Sequence, residues 1–249
     1  MRRVYDRYVV SWRRQAQRVR RRLHRRSGRP PTIAYDDAYL GLMNQTTAGL
    51  LYWGQPYLFD IAIRELPSDD PVLEIGSFCG QSTNTLAYFL REHGRSNAIV
   101  STDPWVFEDG RSEAVPSAEA LRAYVREQFE RNIRFWSADR LPHSFELPSD
   151  EFFAAWRAGE TRRDLFGRDY ALGGALAFAF IDGAHDYAQV RRDFENVDEQ
   201  LVTRGLILFD DSDPLGHHPG VWPVVKLALQ RGYELVEANP HHLIRKRAP

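Results

Sequence analysis

Short apolar runs alternate with amphipathic stretches along most of the chain, and this pattern predicts its elements. The apolar runs predict five strands, at 71–76, 98–103, 143–147, 175–182 and 206–211. Apolar residues at three- to four-residue spacing predict helices within 35–66 and at 80–94, 117–133, 150–156, 187–205 and 221–231. Strands that alternate with helices are typical of a doubly wound, mostly parallel sheet.

Two further strands close the sequence and bring the expected sheet to seven strands. "YELVEA" (233–238) and "HLIRKR" (242–247) are separated only by "NPH". Such a connection is too short for a crossover between parallel strands, so the pair is expected to form an antiparallel hairpin. The predicted fold class is therefore α/β, with this hairpin at the C-terminal end and an amphipathic helix at the N-terminal end.

The N-terminal helix is strongly basic, whereas the remainder of the chain is acidic. Residues 1–26 hold eleven Arg and one Asp, and because the formal charge of the chain is −1, the remainder carries about −11. Three interpretations stay open. The apolar face of the helix packs on the body or on another subunit of a homo-oligomer, the helix lies on an anionic membrane surface, or its Arg side chains contact nucleic acid phosphates. The apolar face favours the first two.

The linker "SGRPP" (27–31) predicts a division into a basic segment, 1–31, and a main domain, 32–249. The single cysteine, Cys79, excludes an intrachain disulfide and indicates a reducing compartment. No run approaches the ~18 apolar residues of a membrane span, and the N-terminus lacks the apolar core of a secretory signal. These features predict a cytoplasmic protein, with peripheral membrane contact through residues 1–26 left open.

Glycines that suit a ligand site follow the first predicted strand. In "LEIGSFCGQST", Gly76 and Gly80 lie between a strand and a helix, where glycine lets the backbone approach a ligand and the helix N-terminus offers free N–H groups. Tight packing of strand and helix would explain the same glycines. Asp103 ends the next strand, where a carboxylate can accept hydrogen bonds from a ribose diol. A turn before Pro104 is the alternative role for this acid.

"VLEIGSFCGQST", followed by "STD" at 101–103, resembles the cofactor signature of class I S-adenosylmethionine-dependent methyltransferases. The resemblance covers roughly 55–245 and is strongest to the metal-dependent O-methyltransferases. These include the catechol O-methyltransferase type and enzymes that methylate sugar hydroxyls of natural products. It implies a Rossmann-like methyltransferase fold, with S-adenosylmethionine and Mg²⁺ as cofactors. It offers no counterpart for the Arg-rich helix.

Carried over residue by residue, the resemblance assigns parts of the cofactor to positions of this sequence. The residues that would line its methionine part are Glu74, Gly76, Phe78, Gly80 and Ser82. Asp103 would hold the ribose. Ser149 and Asp150 are the expected adenine contacts.

Acidic residues end two strands that the family's strand order places side by side. Asp182 ends "ALAFAFID", and Asp210 and Asp211 end "LILFDD". Neighbouring strands lie roughly 4.8 Å apart, so three carboxylates would repel one another unless a cation lies between them. Oxygen ligands suit Mg²⁺, which keeps positions open for substrate oxygens. The alternative is that these acids cap helices or lie solvated at loop ends.

His185 lies three residues after Asp182, where the resembling family has its base, Lys in some members and His in others. A histidine with a pKa near neutrality can accept a hydroxyl proton. The alternative is that His185 only orients the loop. Asp186 is a rival base, although its position before a helix favours capping. The pairs His217–His218 and His241–His242 fit no zinc spacing and are interpreted as loop residues, the first pair at the rim of the site.

The sequence therefore predicts an enzyme that moves a methyl group from S-adenosylmethionine to a hydroxyl of a small molecule, a phenol, a sugar or a lipid-linked glycan, with Mg²⁺ in its site. A metal-independent methyltransferase and a non-catalytic module tethered to membrane or nucleic acid stay open. The segment 104–174 is expected to include a cover over the substrate. Aromatic side chains are more often core. The aromatic candidates for the pocket wall are Trp53, Tyr57, Trp105, Phe107, Trp136 and Trp222.

Overall fold

The computed structural model of the protein describes residues 32–106 and 117–248. The predicted Arg-rich helix and Phe107 lie outside these ranges. The helices are α1 (Ala38–Thr46), α2 (Gln55–Arg64), α3 (Gln81–Glu92), α4 (Ala118–Trp136), α5 (Ser149–Ala158), α6 (Tyr187–Gln200) and α7 (Val221–Gln230). The strands are β1 (Val72–Ile75), β2 (Ile99–Thr102), β3 (His143–Phe145), β4 (Thr161–Arg163), β5 (Asp169–Ala171), β6 (Leu176–Ile181), β7 (Leu201–Phe209), β8 (Tyr233–Ala238) and β9 (His242–Lys246).

Seven of these strands form one sheet, in the order β3-β2-β1-β6-β7-β9-β8. Neighbours from β3 to β7 run parallel, whereas β9 runs antiparallel to both β7 and β8. The predicted α/β fold, with a mostly parallel seven-stranded sheet and a C-terminal antiparallel hairpin, is confirmed. The short strands β4 and β5 form a separate two-stranded sheet, which the sequence pattern did not predict.

Alternating side chains of the sheet enter two apolar cores, one on each face. In β6, Phe178 and Phe180 belong to the core that α1, α2 and α3 cover. Ala179 and Ile181 belong to the core that α5, α6 and α7 cover. All six residues of β6 are buried, because a parallel strand with helices on both faces has no solvated side. This burial explains why the run is apolar throughout and why its first acid, Asp182, comes only after the strand ends.

The prediction of one helix over 187–205, with a strand only after it, is wrong. α6 ends at Gln200, and β7 begins at Leu201, which pairs with Leu176 of β6. The register of the two strands is irregular next to this pair, and Arg204 has a positive φ of 67°. The spacing of apolar residues in "LVTRG" continues the helical period, but pairing with β6 overrides this local preference.

The segment 104–174 contributes more to the core than a cover over the substrate would. In α5, Phe152, Phe153 and Trp156 are buried, and in α4, Phe129 and Ile133 are buried. A cover remains a prediction for other parts of this segment. None of the helices within the described ranges combines the length and apolar character that a membrane span requires.

Candidate active site

The carboxyl ends of β1, β6 and β7 lie side by side and open onto a cavity of about 680 Å³. Backbone hydrogen bonds continue the sheet just past these ends. The N–H of Asp182 donates to the oxygen of Ile75 (2.8 Å), and the N–H of Asp210 donates to that of Ile181 (3.0 Å). Doubly wound sheets bind ligands at this edge. The predicted site residues that line the cavity are Gly76, Phe78, Ser82, Asp103, Ser149, Asp150, Asp182, His185 and Asp211.

Gly76 lets two loops of the site approach each other closely. Its φ is +87°, and a Cβ atom there would lie 2.0 Å from the backbone oxygen of Asp182. Glycine alone suits both this backbone conformation and this contact. Gly80, which precedes α3, does not line the cavity. Its Cβ would lie 3.1 Å from side-chain atoms of Phe129 and Ile133, so Gly80 serves helix packing here, and its contact with the cofactor stays a prediction.

The Asp103 carboxylate fixes the loop that follows β1. Oδ2 accepts the backbone N–H groups of Ser77 (2.7 Å) and Phe78 (2.9 Å), and Oδ1 accepts that of Trp105 (2.6 Å). Burial raises the pKa of Asp103, and these three hydrogen bonds counter part of the rise. Each carboxylate oxygen offers about two acceptor positions. Oδ1 therefore keeps one acceptor position for the ribose hydroxyl that the sequence predicts, although the carboxylate also has a structural task.

Glu74 lies beneath this loop, fully buried and outside the cavity lining. Its Oε2 accepts hydrogen bonds from the hydroxyl groups of Ser77 and Thr83, whereas its Oε1 has no partner. Burial raises the pKa of Glu74 to about 7, against the hydrogen bonds that lower it. A donor or positive charge on the cavity side would favour its ionised form, so the predicted place of Glu74 near the methionine part remains chemically consistent.

We expect Glu74 to make the protein less stable as the pH rises from 4.5 to about 7, by up to about 3 kcal/mol. The folded state binds the Glu74 proton more tightly than the unfolded chain does, so this stabilisation is fully present at low pH and is lost as the pH passes the raised pKa. Glu74→Gln, which does not ionise, should remove this part of the pH dependence. Urea unfolding across this range measures it, and equal slopes for both proteins would show that Glu74 is already ionised.

Asp182 and Asp210 are neighbouring carboxyl groups at the ends of adjacent strands. Burial raises the pKa of Asp182 well above its ordinary value, and the charge of Asp210 raises it further. Burial alone would raise the pKa of Asp210 too, but His241, together with hydrogen bonds from Asp182 and the Asp211 backbone, outweighs burial and lowers it. Nδ1 of His241 lies 2.5 Å from Oδ1 of Asp210, and Gln55 donates to the same oxygen. Gln55 and His241 thus hold Asp210 behind the cavity wall, and Asp182 is the member of this pair that lines the cavity.

Asp211, His185 and His218 come together on the cavity wall. Nε2 of His185 lies 3.0 Å from Oδ2 of Asp211, and Nε2 of His218 lies 3.3 Å from the same oxygen. The two imidazole centroids are 4.0 Å apart. Nε2 of His185 is also 3.9 Å from Oδ1 of Asp182. The loops after β6 and β7 therefore bring carboxylates and imidazoles to one point, and His218 belongs to this cluster rather than to the rim alone.

Ser149 and Asp150 begin α5 and contact α6. Ser149 Oγ donates to Oδ1 of Asp193 (2.6 Å), and Nε2 of Gln189 donates to the same oxygen (3.0 Å). Asp150 pairs with Arg192 at 3.3 Å. Burial raises the pKa of Asp193 to about 6. Gln189 and Asp193 line the cavity although the sequence did not predict them. Their spacing of four residues on α6 places them on one helical face, which is the signal that was available.

Apart from Phe78, the apolar part of the wall is aliphatic among the described residues. Leu50, Leu51 and Val106 line the cavity, whereas none of the five described aromatic candidates does. Trp105 is fully buried, and its Nε1 donates to the backbone oxygen of Phe78 (2.8 Å). Tyr57, Trp136 and Trp222 pack against the two main cores. The expectation of a pocket wall is therefore wrong for these five residues, whereas Phe107 lies outside the described residues.

The fold and the site together define a class of protein. The glycine loop after β1, the acid after β2 and the acids after β6 and β7 lie where a class I S-adenosylmethionine-dependent methyltransferase has its site. A family model described as "Methyltransferase domain" matches residues 73–212, more than half of the chain. The chain belongs to this family, and the class of enzyme predicted from the sequence is confirmed.

Solved structures share this fold at low sequence identity. The O-methyltransferase from Bacillus cereus in complex with SAH is 16% identical, with a TM-score of 0.52 over 85% of this chain and 90% of that chain. The O-methyltransferase TomG from Streptomyces achromogenes, involved in tomaymycin synthesis and in complex with SAM, is 14% identical, with a TM-score of 0.52 over 87% and 92%. CalS11, a TDP-rhamnose 3'-O-methyltransferase in calicheamicin biosynthesis, is 15% identical, with a TM-score of 0.52 over 86% and 97%.

No curated protein sequence matches this chain. At 14–16% identity, the similarity to these solved structures concerns the fold.

Proposed function

We propose that the protein is an O-methyltransferase that depends on a divalent cation and moves a methyl group from S-adenosylmethionine to a hydroxyl of a small molecule. One observation carries this proposal. Asp182, Asp211 and His185 line the same cavity as the Gly76 loop and Asp103. An imidazole next to carboxylates suits removal of a hydroxyl proton beside a bound cofactor. The O-methyltransferases that share the fold support this reaction class.

The residues around Gly76 fit S-adenosylmethionine, whose sulfonium group supplies the methyl group. Gly76 keeps the end of β1 free of a side chain, and the N-terminus of α3 presents backbone N–H groups. Phe78 and Ser82 line the cavity beside it. Asp103 retains an acceptor for the ribose. Ser149 and Asp150, at the start of α5, are the proposed adenine contacts.

The carboxylates fit a divalent cation, for which the sequence predicts Mg²⁺. Burial and the neighbouring charge disfavour the ionised form of Asp182, and a cation beside Asp182 and Asp211 would remove that repulsion. Such an ion, when bound, lowers the pKa of a hydroxyl that it contacts and neutralises developing charge. Gln55 and His241 hold the carboxylate of Asp210, so Asp210 would support the ion from behind the cavity wall.

His185 is the proposed base. Its Nε2 lies 3.0 Å from the Asp211 carboxylate, which orients the ring and would stabilise the imidazolium that forms when His185 accepts a proton. The His185 side chain is 34% exposed. The accepted proton can therefore pass on to solvent without crossing the core.

The acceptor is proposed to be a sugar or a phenol of natural-product size. The cavity of about 680 Å³ would hold the cofactor as well as the acceptor, and its volume lies within the range of small-molecule sites. Leu50 and Val106 on its wall are 72% and 56% exposed, and they offer apolar contact to a ring. TomG and CalS11, which share the fold, act in natural-product synthesis, CalS11 on TDP-rhamnose.

Calorimetric titration with S-adenosylhomocysteine, in MgCl₂ and in EDTA, tests the cofactor and the cation together. We expect binding in both solutions.

Methyl transfer from labelled S-adenosylmethionine to a panel of phenols and sugar nucleotides should require Mg²⁺. Asp211→Asn should keep cofactor affinity but lower transfer by at least about 100-fold, because it removes a charged ligand. Transfer that persists in EDTA would instead identify a metal-independent methyltransferase. The contacts of Gln55 and His241 with the Asp210 carboxylate would then explain why this acid binds no cation. Absence of binding would contradict the enzyme.

Residues 1–26 are proposed to hold the enzyme at the cytoplasmic face of an anionic membrane or against a second subunit. Their Arg content and apolar face support both arrangements. Sedimentation with phosphatidylserine vesicles, and the oligomeric state in solution, should change when residues 1–31 are deleted. If neither changes, both arrangements are wrong.

A further inference from the structure

A second imidazole is built into the wall of the cavity beside the proposed base. Nε2 of His218 lies 3.3 Å from Oδ2 of Asp211. The loop that carries His218 packs closely on the start of α6, since a Cβ at Gly220 would lie 2.4 Å from the backbone oxygen of His185. The adjacent His217 is exposed and does not line the cavity. The fold therefore distinguishes between two neighbouring histidines and turns only His218 to Asp211.

The spacing of His218 and Asp211 matches that of two ligands around one ion. Two ligand atoms that each lie about 2.1 Å from an ion, at angles of about 90° to 109°, are about 3.0 to 3.4 Å apart. The distance of 3.3 Å between Nε2 of His218 and Oδ2 of Asp211 falls within this interval. The side chains of His218 and Asp211 are 41% and 33% exposed, so an ion can reach them from the cavity.

We propose that His218 is a ligand of the cation in this cavity, together with Asp182 and Asp211, and that the site therefore prefers a late first-row transition ion to Mg²⁺. Imidazole nitrogen binds such ions well, whereas Mg²⁺ takes oxygen ligands almost exclusively. Mg²⁺ would still bind through the carboxylates, but it would gain little from His218. This inference rests on the cation dependence proposed above and needs no assumption about the methyl acceptor.

The test uses the full chain, with CoCl₂ and MgCl₂ as separate probes. Calorimetry gives both affinities, and the visible absorption of Co²⁺ reports nitrogen ligation. Wild type should bind Co²⁺ at least about tenfold more tightly than Mg²⁺. His218→Ala should lower the Co²⁺ affinity at least about tenfold and weaken the visible bands, with less than about a threefold change for Mg²⁺. His217→Ala is the matched control and should bind both ions as wild type does.

Equal Co²⁺ affinity in His218→Ala and His217→Ala would overturn the proposal, and so would equal affinity of wild type for the two ions. Titration of the same samples with S-adenosylhomocysteine separates this failure from that of the proposed function. Cofactor binding without cation binding would overturn the His218 ligand and leave a methyltransferase that works without metal. Absence of cofactor binding would count against the proposed function itself, whatever the cation result.

Discussion

Replacing His185 by alanine is expected to lower kcat for methyl transfer by about 10²- to 10⁴-fold, the usual contribution of a general base. Its Nε2 lies 3.0 Å from Asp211 and 3.9 Å from Asp182, next to the carboxylates where a hydroxyl would be held. The residues proposed to bind the cofactor lie at the end of β1, on the loops after β1 and β2, and at the start of α5, so S-adenosylhomocysteine affinity should not change. Steady-state rates over pH 6 to 9 measure the effect. The variant should recover part of its rate at high pH, where the acceptor ionises without help.

Asp186 provides the matched control for this experiment. Asp186 precedes α6 as its N-cap, and its Oδ1 accepts the backbone N–H of Gln189 at 3.0 Å. This is the capping role that the sequence favoured. Asparagine caps helices about as well as aspartate, so Asp186→Asn should keep both the fold and the rate. A large loss of rate in Asp186→Asn, together with a normal rate in His185→Ala, would assign the base to Asp186.

The sequence was informative where a site residue directly follows its strand. Asp182 comes immediately after a buried apolar run, and Asp211 is separated from another only by Asp210. A parallel sheet aligns the ends of such runs at one edge. Local order along the chain therefore determines their place once the strand order is known. The resemblance to the methyltransferases predicted His185, which follows Asp182 by three positions on the loop after β6.

Contacts between elements that are far apart along the chain could not be predicted from the sequence. Gln55 at the start of α2 and His241 in the β8–β9 turn both contact Asp210, and the Gln55 contact joins residues 155 positions apart. Neither residue lies beside a strand end of the parallel part of the sheet, and no spacing relates either one to Asp210. The role of His241 follows only when β9 pairs with β7 and brings the turn to the site. The start of β7 escaped prediction for the same reason, since its pairing with β6 is not encoded in local periodicity.

Gly76→Ala is expected to have the largest effect on stability and on the site together. Alanine at a φ of +87° costs roughly 1–2 kcal/mol of backbone strain. Its Cβ would also lie 2.0 Å from the backbone oxygen of Asp182, which is so close that the backbone has to shift. We expect the free energy of unfolding to fall by about 2–5 kcal/mol in total, because overpacking adds to the strain. The loop after β6 must move, and a displacement of about 1 Å of Asp182 and His185 should lower methyl transfer at least about 100-fold.

Gly94→Ala separates backbone strain from the collision. Gly94 also has a positive φ, of +60°, but a Cβ there would meet no atom within 4 Å. Gly94→Ala should therefore show only the cost of strain, about 1–2 kcal/mol in urea unfolding, with normal S-adenosylhomocysteine affinity. The difference between the two variants measures how much the contact between the β1 and β6 loops contributes. If Gly76→Ala is no less stable than Gly94→Ala and binds S-adenosylhomocysteine equally well, the two loops can separate freely. Their close approach would then have no part in holding the cofactor against the carboxylates.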